Sequence, residues 1–325
     1  MSDSHELLYL SRADVEKAGP DMPAVVALLD TAFREKAAGR VEMPPKPGVH
    51  TMPDAFIHAM PAYIPALSAA GVKWVSGYPA NQESGLPYIS GLLVLNDVRT
   101  GLPYAVMDCT WITAVRTGAA TALAARHLAR PDSETAGILA CGVQGRANLL
   151  ALSGGFNLRR VFAFDPRRDV QEAFVRDMGE QLGVEIVGVA EPRDAVEGAD
   201  LVVTAGPILH EPHATIRQGW MRAGSFASAV DFDSYWSGGA LAELDRIATD
   251  DREQLDYYRG LGYFQSTPEP YAELAELVAG LKPGRESAEE RTIALNLGLA
   301  LEDMAVAPEV YRRAVAMGIG TKLHL

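Results

Sequence analysis

The chain has 325 residues, of which 48% are hydrophobic and 22% charged, and its 29 basic and 42 acidic side chains leave a formal net charge of −13. Such a chain can build a large core shared between two domains, and its acidity, with no local run of Lys and Arg, argues against nucleic acid as a partner. The two cysteines, Cys109 and Cys141, supply no disulfide framework, MSDSHELLYL opens without a basic segment or an apolar leader core, and no apolar run spans a bilayer. A cytoplasmic protein with no membrane and no metal among its partners is expected.

In SRADVEKAG (11–19), Ser11 and Asp14 stand at capping-box spacing and start a short helix. Val25, Leu28, Leu29, Ala32 and Phe33 then recur with helical period until Gly39 stops the second helix. The prolines of EMPPKPGVH (42–50) predict a loop. From about 56 to 108 the pattern is strand-like. In GVKWVSGYP, Val72 and Trp74 face one way and Lys73 and Val75 the other. YISGLLVLNDVRTGLPYAVMD reads as two apolar strands joined by NDVRTG in an antiparallel hairpin, and TWITAVRTGAATALAARHLARP as an alanine-rich helix ended by Pro131.

After PDSET (131–135) the rhythm changes to AGILA, VQGRANLLAL, LRRVFAFD, RDVQEAFVRDMGEQLG, VEIVGVA, PRDAVEGA and DLVVTAG. Short apolar strands alternating with amphipathic helices predict parallel βαβ units. SFASAV and RIATDD look like further strands, a long helix around 288–306 ends near Pro308, and PEVYRRAVAMG adds one more helix.

The turn after AGILA resembles a dinucleotide-binding G-x-G-x-x-G with its first glycine replaced. Ala140 precedes Cys141, Gly142, Val143, Gln144 and Gly145, and the alanine fits if residue 140 keeps a β-region backbone. Asp165 ends the next strand about 20 residues on, where a ribose-binding carboxylate belongs. A carboxylate there selects NAD, while Arg167 and Arg168 offer the alternative of clamping the 2′-phosphate of NADP.

KWVSGYPANQ (73–82), TAVRTGAATALAARHLARP (113–131), GVQGRANL (142–149), GLALEDMAV and GIGTKL together resemble the ornithine cyclodeaminase/μ-crystallin family, over essentially the whole chain. Within it, KWVSGYP followed by GLPYISGLLVLND is similar to a subgroup that often carries a tyramine oxidase label, which states no activity. The resemblance implies an α/β protein: a Rossmann-type NAD(P)-binding domain over 131–307, and an α+β substrate-binding and dimerisation domain over 1–130 rejoined by about 308–325. It also implies a homodimer and hydride transfer at the amine or imine carbon of a small amino or imino acid, with conversion of ornithine to proline and ammonia as the leading named reaction. An imine reductase or amino-acid dehydrogenase is the alternative, and a non-catalytic ligand-binding protein is the rival from another class.

The same resemblance assigns roles. Lys73 contacts the substrate carboxylate and polarises the reacting centre, and Arg116, whose small neighbours place it in a cleft, grips that carboxylate with two parallel bonds. Asp233 handles the proton, with Asp231 as rival on the same side if the strand continues, and Thr204 and Ala205 flank the nicotinamide. The chain departs from the family pattern at three places. Lys46 stands for a second carboxylate-binding arginine. His58 replaces the glutamate that helps hold ornithine; it is a poor receptor for a second ammonium, and reads as an acid or base near neutral pH or as a core histidine. SYWSGG replaces a PGK-x-E stretch after Asp233.

Overall fold

The computed structural model describes residues 6–325, so the first five residues of the stretch read for a leader lie outside the described part. In chain order the first elements are β1 (Glu6–Leu10), α1 (Arg12–Ala18), α2 (Met22–Ala37), β2 (Gly48–Val49), β3 (Phe56–Ile64), β4 (Ala69–Gly77), β5 (Ile89–Asn96), β6 (Pro103–Asp108) and α3 (Thr110–Leu128). Next come β7 (Thr135–Leu139), α4 (Val143–Ser153), β8 (Arg160–Phe164), α5 (Arg168–Leu182), β9 (Glu185–Gly188), α6 (Pro192–Glu197), β10 (Leu201–Thr204) and β11 (Phe226–Ala229). The remainder is α7 (Gly238–Ala242), β12 (Arg246–Thr249), α8 (Arg252–Gly260), β13 (Ala272–Glu273), α9 (Leu274–Val278), β14 (Thr292–Leu295), α10 (Ala300–Met317) and β15 (Thr321–His324). Two compact units result, one holding everything up to Arg116 together with Leu299–Leu325, the other Thr117–Gly298, so the division falls within α3.

The first unit is built on a seven-stranded sheet ordered β15-β1-β6-β5-β4-β3-β2, antiparallel except where β1 meets β6. Ser11 caps α1 through the expected capping box with Asp14. Alternation in β3 and β4 sends one set of side chains to a buried face, against which α10 packs, with α1 and α2 beside that helix. The opposite face carries Trp74 and Leu92, directly paired across β4 and β5 and both exposed, with Pro61, Val72, Val94 and Val106 half-buried around them. The loop expected at 42–50 contains β2, whose Gly48 pairs with His58.

The second unit holds an eight-stranded, wholly parallel sheet ordered β13-β12-β14-β11-β10-β7-β8-β9. Strand order reverses between β7 and β10, the switch point at which doubly wound sheets bind ligands beyond their strand C-termini. This is a Rossmann-type domain.

One helix assignment is corrected. Residues 292–295 form β14 in the middle of the sheet, and the helix that follows runs unbroken from Ala300 to Met317 with Pro308 inside it. A four-residue apolar run cannot by itself separate a buried strand from a helix segment. Pro308 removes one backbone donor but keeps a helical φ, and buried residues on either side of it, from Leu301 to Ala314, hold α10 together. Among the described residues no helix is long and apolar enough to cross a membrane.

Candidate active site

Strand register places Lys73 on the buried face between Met60 of β3 and Leu93 of β5. A lone ammonium in such a row costs on the order of several kcal/mol unless it is paired. Its partner is Asp303, with Nζ 2.6 Å from Oδ2 and both side chains fully buried. Lys73 also donates to the Thr113 hydroxyl at 3.4 Å. Arg116, about one helical turn further along α3, donates from Nη1 to Glu302 Oε2 at 2.6 Å and holds Nε 3.3 Å from Asp303 Oδ1. Its small neighbours on α3 thus lead to a buried ion pair.

Glu302 and Asp303 are consecutive in the first turn of α10, where backbone N–H groups favour carboxylates. Burial, then the nearby Arg116 charge, push the Lys73 pKa down, and Asp303 opposes them. Burial pushes Glu302 up against the pull of Arg116. Periodicity does not single out this acidic pair, although it lies within GLALEDMAV, one of the segments that carry the family resemblance.

Lys46 and His58 are both 5% exposed. His58 stacks on Phe56 at a 4.2 Å centroid distance and lies over Gly48, where a Cβ would come within 2.3 Å of its ring. Its pKa is pushed down to about 2, by burial first and then by the positive charges of Lys46, His50 and Lys73. Burial and the neighbouring positive charges thus favour the neutral ring at His58.

In the second unit the glycine turn differs from expectation at residue 140. Ala140 has φ +76°, so the residue that replaces the first glycine adopts the left-handed conformation that glycine takes without strain. The expectation of a β-region backbone there is corrected. Gly145 keeps its packing role, since a Cβ there would lie 2.2 Å from the Ala140 carbonyl oxygen. Gly142 caps α4 with no side-chain hydrogen bond and opens onto space, and Val143 in the first turn is exposed, with Gln144 beside it. Backbone N–H groups at such a helix start form an anion seat. Cys141 differs: its N–H donates to Asp165 Oδ2 at 2.8 Å. The other Asp165 oxygen accepts the Arg167 N–H at 2.9 Å. So held, Asp165 lines a cavity of about 710 Å³ together with Pro166, Arg168, Gln171, Val189 and Ala190. Arg168 is paired with Glu172 at 3.0 Å.

At the ends of β10 and β11, the Ala205 N–H donates to the Leu139 carbonyl at 3.0 Å. The Thr204 hydroxyl donates to Asp231 Oδ1 at 2.7 Å and accepts from Trp236 Nε1 at 3.2 Å. β11 stops at Ala229, and residues 231–235 form a turn with Phe232 at φ +60°, so Asp231 and Asp233 share no strand face. Asp231 is fully buried and pushed up to about 7, chiefly by burial, while also accepting the Gly206 N–H at 3.4 Å. Asp233 is 2% exposed and raised by burial. Its Oδ2 accepts from Thr267 at 3.3 Å, and its Oδ1 has no hydrogen-bond partner among the described residues.

A Rossmann switch point with a glycine turn in one unit and a buried lysine–arginine–acid cluster in the other agree with the family match, which runs over residues 6–318 to the ornithine cyclodeaminase/mu-crystallin family. The chain belongs to that family. Alanine dehydrogenase of Archaeoglobus fulgidus is 34% identical, with 98% of each chain covered. The structure of Thermococcus litoralis Δ1-pyrroline-2-carboxylate reductase in complex with NADH and L-proline superposes with a TM-score of 0.88 at 34% identity, covering 97% of this chain and 99% of that one. An archaeal alanine dehydrogenase dimer with bound NAD gives a TM-score of 0.87 at 33% identity, covering 98% and 99%. These family members are a dehydrogenase and a reductase, and the two solved structures carry NAD or NADH.

Proposed function

We propose that this family member is an NAD-dependent oxidoreductase acting at the amine or imine carbon of a small α-amino or α-imino acid that carries a single carboxylate. The observation that carries the reading is the charge around Lys73. Lys73 and Arg116 stand beside two acids, Glu302 and Asp303, both already ion-paired with them, and burial keeps His58 neutral. The lysine and arginine N–H groups suit one carboxylate, whereas a second ammonium would meet two cations, a neutral imidazole and acids that are already committed.

The turn fits the cofactor: an uncapped α4 start opens onto space at Gly142, and a glycine at 145 permits the close approach. Bound NAD supplies the nicotinamide ring that takes or returns the hydride. Residues 142–145 hold the pyrophosphate, Asp165 holds the ribose hydroxyls and favours NAD over NADP, and the backbone at Thr204 and Ala205 flanks the ring. Lys46, Lys73 and Arg116 orient the substrate by its carboxylate. Asp233, buried with one carboxylate oxygen unpartnered, moves the proton at the substrate nitrogen. Asp231 has both oxygens engaged by Thr204 and Gly206 and serves less well in that role. The exposed apolar sheet face around Trp74 and Leu92 supports a homodimer.

Cyclodeamination of ornithine would use the same hydride step and ranks second, because it needs a seat for the distal ammonium. The test follows NADH absorbance with Δ1-pyrroline-2-carboxylate, with pyruvate and ammonia, and, with NAD, with L-proline and L-alanine; for L-ornithine with NAD it follows release of ammonia and proline, because cyclodeamination returns its hydride and leaves NADH unchanged. Turnover of the mono-amino or imino acids, with kcat/KM for ornithine lower by about tenfold or more, is expected. Ornithine as the best substrate would reverse the ranking, and nucleotide binding without turnover of any would favour the binding-protein reading.

A further inference from the structure

In the first unit, four fully or almost fully buried charged side chains alternate in sign: Lys73, Asp303, Arg116 and Glu302. Two adjacent acids with no exposure are a costly way to fill a core, since apolar residues of similar size pack there without desolvating a charge. Asp303 is the centre of the arrangement. One of its oxygens meets the lysine ammonium and the other the arginine Nε, so one rigid carboxylate at the start of α10 sets the positions of side chains from β4 and α3. Lys73 has three N–H donors; Thr113 accepts from one, and Asp303 Oδ2 lies in ion-pair contact at 2.6 Å, so Nζ keeps donor capacity for a ligand.

We propose that Asp303 is a positioning residue that, as the ion-pair partner of Lys73, holds its ammonium charged and correctly aimed, so that an N–H of Lys73 meets the substrate. The proposal rests on the reading of Lys73 as a substrate-contacting group given above. The groups facing Lys73 support it. Arg116 on α3 repels its charge, and burial between Met60 and Leu93 also disfavours it. On the α10 side, Glu302 is tied to Arg116 and raised by burial. Cys109, just ahead of α3, has its thiol pushed up to about 11, and His58 on β3 is neutral, so neither supplies a counter-charge near neutral pH. Asp303 is thus the anion that keeps Lys73 protonated.

The experiment compares the pH profiles of kcat/KM for the whole protein, Asp303→Asn and Asp303→Glu, with Δ1-pyrroline-2-carboxylate and NADH, alongside thermal melting and NADH binding. In Asp303→Asn the alkaline limb should move to lower pH by about one unit or more, a loss of about tenfold at a fixed alkaline pH, with activity on the acid side largely kept. Asp303→Glu should restore much of the wild-type limb. A uniform loss at every pH with an unmoved limb would mark Asp303 as merely structural and overturn the proposal. If Asp303→Asn does not fold, wild-type protein labelled with 15N at lysine Nζ decides, with the Lys73 signal assigned through Lys73→Arg: an ammonium at neutral pH is predicted, and a neutral amine contradicts it. Lys73→Ala separates the two ideas, because full activity in that variant would remove Lys73 from the site whatever Asp303 does.

Discussion

Asp233 is the residue on which the proton step turns. It is buried, raised by desolvation, and has one oxygen without a hydrogen-bond partner among the described residues, which suits a group that exchanges a proton with a ligand. Asp233→Asn should lower kcat by about 10²-fold or more while leaving NADH affinity within about threefold. Equal loss of both would show a structural role. Asp231 makes a different prediction. Its pKa rises from 3.8 unfolded to about 7 folded, so between those values the native state holds a proton that the unfolded chain has lost. Stability should therefore fall as pH rises from about 4 to 7, by up to about 1.4 kcal/mol for each pH unit of that window. Urea titrations at pH 5 and pH 8 check it: Asp231→Asn should flatten the difference, and an unchanged difference would place the titration elsewhere. Residue-scale legibility of the sequence is uneven. Gly142, Gly145 and Asp165 are legible because their spacing follows from the strand–turn–helix geometry. The left-handed backbone at Ala140 is not, because an alanine gains nothing locally to offset that strain.

At the scale of elements, the alternation of short apolar strands with amphipathic helices makes the parallel sheet of the second unit legible, and the period-2 pattern correctly sets Lys73 opposite Trp74. Residues 288–317 mislead because TIAL has no period of its own and a proline normally ends a helix. In α10 the missing Pro308 N–H leaves the Met304 carbonyl without its helical donor. Pro308→Ala should raise stability by about 1 kcal/mol or more, seen as a higher melting temperature; a lower one would show that the ring packs for more than the hydrogen bond returns. The acidic pair at the start of this helix is illegible for another reason. Glu302 meets Arg116 across a separation of 186 residues, and no local pattern announces such a contact.

At the scale of the molecule, each unit carries one half of the proposed chemistry, a nucleotide seat in the Rossmann-type domain and a carboxylate-binding cluster on the seven-stranded sheet. The exposed pair Trp74 and Leu92, at 50% and 44%, lies on an apolar sheet face that a second copy of the chain would cover. Trp74→Asp should convert a dimer into a monomer in sedimentation or light scattering, and a wild-type monomer would contradict that use of the face. The proposed chemistry depends on a nicotinamide nucleotide seated on the turn after β7. The most direct measurement is a fluorescence titration of NADH with the purified protein beside Gly145→Val, whose side chain would collide with the Ala140 carbonyl. Saturable binding by the wild type and its loss in a variant that still melts cooperatively is the predicted result; no binding by the wild type, or equal binding by both, contradicts it.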